Sequence, residues 1–78
     1  MRFHERLRIV RVALRELSRQ PQRRGELMKR AVMRGASYCS FNFVFAYLLA
    51  EGFVEKTGAE LHAPFRITER GLKFLEAM

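Results

Sequence analysis

Few residues in this chain carry reactive chemistry. There is one cysteine, Cys39, and there are two histidines, His4 and His62, far apart in the sequence. A thiol near a helix start suits redox sensing only when a resolving partner is present, and none is encoded. One cysteine and two separated histidines do not complete a zinc finger. Both histidines stand in arginine-rich or turn-like surroundings, as solvated surface histidines usually do. The glycines are scattered singly, so no loop is built to cradle a phosphate. The chain therefore reads as a non-enzyme with no cofactor and no metal.

What remains is recognition chemistry, and its currency is charge. The net charge of +7 is unevenly placed: residues 1–34 carry +8 and residues 35–78 carry −1. A one-sided excess with a pI of 10.8 points to a polyanion partner, because cations that neutralise phosphates release counterions. The bland alternative is a well-solvated surface. Arginine richness with no aspartate also suits a thermophile. Arg23, Arg30 and Arg34 fall on one edge of a helical wheel and are candidate phosphate contacts, joined by Lys56, His62 and Arg66 from a hairpin. Tyr38, Ser40, Asn42 and Phe43 stand at the leading end of an apolar helix and are candidate base contacts. Asparagine can pair with an adenine edge and phenylalanine can touch a thymine methyl.

These residues must be positioned by short elements. Phe41, Val44, Phe45 and Leu48 recur at i, i+3, i+4 and i+7, one stripe of a helix that Ser37 can cap and Gly52 can end. Phe3, Leu7, Val10, Leu14 and Leu17 step by four and three, a seam along a first helix that Pro21 terminates, with Arg8, Arg11, Arg15 and Arg19 on its far side. Leu27, Met28, Ala31 and Val32 mark a second helix, and Gly35 breaks it from the third. Alternation of Leu61, Ala63, Phe65 and Ile67 predicts a half-buried strand, with Pro64 placing it at an edge or making it irregular. Thr68 can cap a last helix. The expectation is one domain over residues 1–78, mostly α with a small β-hairpin: helices near 3–19, 24–34, 38–51 and 69–77, strands near 53–56 and 61–67.

The run from Tyr38 to Val54 resembles the helix-to-wing segment of small archaeal winged-helix DNA-binding proteins. The ending Phe65-Arg-Ile-Thr-Glu-Arg-Gly-Leu-Lys-Phe-Leu-Glu76 is similar to the strand-to-last-helix signature of winged-helix regulators, MarR-type and PadR-type relatives included. The resemblance covers roughly residues 5–78 and implies a winged helix-turn-helix: a three-helix core, a wing and a C-terminal helix. It also implies a homodimeric transcriptional regulator, third helix in the major groove and wing on the backbone. Relatives carry lysines or other polar groups on that helix where Asn42 and Phe43 stand here.

Cys39, Phe43, Ala46, Tyr47 and Ala50 all lie outward on the wheel, opposite the apolar stripe, and none is charged. That face supports a second reading, a protein-interaction module that captures its partner through Phe43 and Tyr47. Phe3, Leu7, Leu14, Phe74 and Leu75 exceed what so small a core needs and are expected at a two-fold interface. With no run of about 18 apolar residues and no signal segment, the expected location is the cytoplasm and no membrane partner is expected.

Overall fold

The computed structural model describes residues 3–78, with side chains from His4 onward. Phe3, expected at a dimer interface, therefore has its side chain outside the described residues. The chain is mostly helical with one small antiparallel sheet, in the order α1 (Phe3–Arg19), α2 (Arg24–Met33), α3 (Tyr38–Ala50), β1 (Val54–Lys56), β2 (Phe65–Ile67) and α4 (Glu69–Ala77). No helix among the described residues is long and apolar enough to cross a membrane.

Two helix ends use the same device. Gly35, at φ 97°, and Gly52, at φ 75°, take the left-handed conformation that an L side chain resists. Around Gly35 the amides of Gly35 and Ala36 donate to Val32 and Ala31, at 2.9 and 3.1 Å. Around Gly52 the amides of Gly52 and Phe53 donate to Leu49 and Leu48, at 3.1 and 2.9 Å. Both are Schellman closures, and the second turns Phe53 inward toward Leu48. Ser37 and Thr68 cap α3 and α4 by accepting from the amides of Ser40 and Gly71.

The core runs through all four helices. Its largest fully buried side chains are Phe41, Phe45, Leu14, Leu27, Leu48 and Val44. Phe45 meets Phe65 edge-on at 4.9 Å and Phe53 stacks on Phe74 at 4.5 Å, so rings tie the sheet to α3 and the last helix to the segment that follows α3. Leu14 is 0% exposed within a single chain, which removes it from any interface between copies. Phe74 and Leu75 are half-buried and pack against the same core, so most of the apparent apolar surplus is absorbed internally.

The sheet is shorter than the alternation implied. Strand pairing covers only Val54↔Ile67, Glu55↔Arg66 and Lys56↔Phe65. Residues 57–64 form a loop instead of a tight turn, in which Leu61 is 81% exposed while Ala63 is buried. The loop curls round the Lys56 ammonium, which donates to the carbonyls of Glu60 and Leu61 at 2.9 and 3.1 Å. Thr57 closes it by donating from both its amide and its hydroxyl to the Pro64 carbonyl. Nor is β2 an edge strand at its start. Gln22, between α1 and α2, exchanges two backbone bonds with Phe65 at 3.0 and 2.7 Å, so Phe65 is flanked on both sides. Pro64 sits one residue before that double pairing, where no amide is needed.

Candidate nucleic-acid interface

The four candidate base contacts divide between two flanks of α3. Tyr38 is 60% exposed, and Asn42, a turn further on, accepts a hydrogen bond through Oδ1 from the Arg24 guanidinium of α2. Ser40 turns the other way: its hydroxyl accepts from Ser37, and it lines a small concavity with Glu5, Arg8 and Ile9 of α1. Phe43 lies on that same side, beneath Arg6, whose guanidinium carbon is 4.3 Å from the ring centroid. Phe43 and Tyr47 are 51% and 40% exposed, and the Tyr47 ring meets Phe53 edge-on at 6.1 Å. Arg6, Leu7 and Val10 of α1 lie against that side of α3, so the two rings rim a groove rather than stand free opposite the core.

Arg24, bonded to Asn42, also lines a basic cleft. The N-cap and first two turns of α2 supply Arg23, Arg24 and Lys29, and the hairpin supplies Lys56 and His62. The cleft is open, about 790 Å³, and Glu26 is its one acidic lining residue. Arg24 is held in place twice, by Asn42 and by the Phe45 face 5.3 Å from its guanidinium carbon. Such a cation is already ordered before a ligand arrives, which lowers the entropic cost of binding. The Glu26 carboxylate is itself engaged, accepting from the Arg23 amide at 3.3 Å.

The six candidate phosphate contacts also divide. Arg23, Lys56 and His62 line this cleft, whereas Arg34 lines a separate groove with Arg8, Arg11, Arg15 and Arg19 of α1. Arg30 is ion-paired at 3.5 Å with Glu16, a buried carboxylate that also holds Arg19 at 3.7 Å. The shared edge inferred for Arg23, Arg30 and Arg34 assumed a helix through all three. Arg23 and Arg34 are the caps of α2, where the backbone has left helical geometry. Arg66 is paired with Glu55 directly across the ladder, its Nε 2.8 Å from the carboxylate.

Arg24 and Lys29 were absent from the sequence-derived set. The start of α2 at Arg24 is as expected, but which cations of its first two turns face the hairpin loop depends on tertiary packing that no sequence pattern carries.

No family model matches the chain, and neither curated proteins nor solved structures give a match.

A third surface is apolar. Arg6, Leu7 and Val10 of α1, Phe43, Val44 and Tyr47 of α3, and Phe74 of α4 enclose a groove of about 150 Å³. Here Arg6 Nε is buried over the Phe43 ring with no hydrogen-bond partner among the described residues. Cys39 is exposed at the start of α3. No group of three or more His, Cys, Asp or Glu side chains able to hold a metal gathers among the described residues.

Proposed function

We propose that this chain is a winged-helix protein that binds duplex DNA, with α3 directed to the major groove and the β1–β2 loop acting as the wing on the backbone. The observation that carries this reading is the basic cleft, where α2 and the hairpin loop bring together five basic side chains, one of which, Arg24, is bonded to Asn42 of α3. The resemblance of residues 65–76 to winged-helix regulators supports the same reading, and with it a cytoplasmic transcriptional regulator that works as a homodimer. Arg23, Arg24 and Lys29 hold phosphates, and Tyr38 and Asn42 face the bases.

A second reading is favoured by one observation, the apolar groove that Phe43 and Tyr47 line. There the groove seats a protein chain, a second copy included, and α3 is not buried in DNA at all.

One experiment separates the two. Affinity for duplex DNA, read by fluorescence anisotropy, should fall by about 0.9 log units per log unit of salt for each phosphate neutralised. Arg23→Gln with Lys29→Gln should flatten that slope by about 1.8 units, while Phe43→Ala leaves it unchanged and weakens self-association in sedimentation. A salt-independent affinity, or no binding at low salt, removes the DNA reading.

A further inference from the structure

The outer face of α1 carries more positive charge than the fold needs. Arg8, Arg11, Arg15 and Arg19 return to one side of the helix, and Arg34 at the α2 C-cap closes a groove of about 110 Å³ against them. Arg30 extends the same surface through its pair with Glu16. All six cations are arginine, the side chain whose planar fork grips a phosphate with two parallel bonds. Glu16 is the one carboxylate lining the groove, and it is already shared between Arg19 and Arg30. None of Arg8, Arg11, Arg15 and Arg34 has an ion-pair partner among the described residues.

The helix dipole explains part of this. Cations at the end of a helix are stabilised by its negative pole, which accounts for Arg19 and Arg34. It gives no reason for Arg8, Arg11 and Arg15, which lie ahead of the last turn of α1. Their spacing has a recognisable scale: Arg8 to Arg19 spans about 16 Å at 1.5 Å per residue. That exceeds the width of about 12 Å of a B-DNA major groove, so the stripe can meet phosphates on both rims. This groove and the cleft beside α3 share no lining residue.

We infer that the arginine face of α1, closed by Arg34, is itself a duplex-binding surface that grips the phosphodiester backbone without reading sequence. Together with the cleft beside α3 it lets one protomer hold two DNA segments.

The test is a stoichiometric titration of the full chain with a short duplex at low salt, with energy transfer between donor-labelled and acceptor-labelled duplexes as a second readout. The wild type should saturate at two duplexes per protomer and bring the labels together. The Arg8→Gln, Arg11→Gln, Arg15→Gln variant should saturate at one, lose energy transfer and keep its melting temperature, since these side chains are exposed. Its salt dependence, summed over all binding, should fall by about 2.7 log units per log unit of salt, three contacts at 0.9 each. The Arg23→Gln, Arg24→Gln, Lys29→Gln variant should also saturate at one. If the wild type binds a single duplex and the α1 variant binds it equally well, the inference fails and the cleft reading stands. If a single duplex is lost only in the α1 variant, the arginine face stands and the cleft reading fails.

Discussion

At the scale of single residues, the glycines separate what a sequence displays from what a fold imposes. Gly35 and Gly52 are legible because a break between two apolar periodicities needs a left-handed residue, and both have positive φ. Gly71 is not legible. It lies inside α4, where glycine only costs stability, and the reason for it is tertiary. A Cβ there would fall on the Phe53 carbonyl oxygen and come within 2.8 Å of Ile67 Cγ1. Gly71→Ala should therefore destabilise the fold by about 3 kcal/mol, the upper part of the range for overpacking a core. Gly25, in the first turn of α2, meets nothing within 4 Å. Gly25→Ala should stabilise by about 0.4–1 kcal/mol through loss of chain entropy in the unfolded state. Urea unfolding of both variants checks the pair, and equal effects would contradict the packing described for α4.

At the scale of elements, helices were readable and pairings were not. The boundaries of α1 and α4 coincide with those expected, because periodicity and caps are local signals. The strand from Leu61 was overextended because a ladder depends on a partner elsewhere in the chain. The alternation holds for Ala63, Phe65 and Ile67 and fails at Leu61, where Lys56 binds the loop carbonyls instead. The bridge from Gln22 to Phe65 left no sequence pattern at all, since one residue has no period. The caps differ in reach. The Ser37 hydroxyl serves only its own helix, whereas Thr68 accepts from Gly71 and also donates to the Gly52 carbonyl at 2.6 Å. Thr68 thus ties the start of α4 to the end of α3. Ser37→Ala should cost about 1 kcal/mol, and Thr68→Ala about 2 kcal/mol, since the second bond is lost as well. At roughly 4–8 °C per kcal/mol for a domain of this size, thermal melting resolves the difference. Equal melting temperatures would show that the tie to α3 contributes nothing.

At the scale of the whole molecule, charge and apolar surface are sorted onto three separate places: the cleft beside α3, the arginine face of α1, and the groove under Arg6. The excess of cations in the first half of the chain was plain in the sequence. Its division between two surfaces was not, because which way Arg23 and Arg34 point is decided by the ends of α2. The flanks of α3 were hidden for a similar reason: a wheel gives angles, but only neighbouring helices decide which angles are covered. Thus Asn42 faces Arg24 while Phe43 faces Arg6, although they are adjacent in sequence. The proposed role makes a spatial claim that backbone-amide chemical shifts can map on titration with duplex DNA at low salt. Shifts should appear at residues 23–29, 38–42 and 56–63, with a second set along residues 8–19 and at Arg34 from a duplex on the arginine face, and should reverse as salt is raised. Shifts confined to Arg6, Leu7, Phe43, Tyr47 and Phe74, or no shifts at all, would contradict the account.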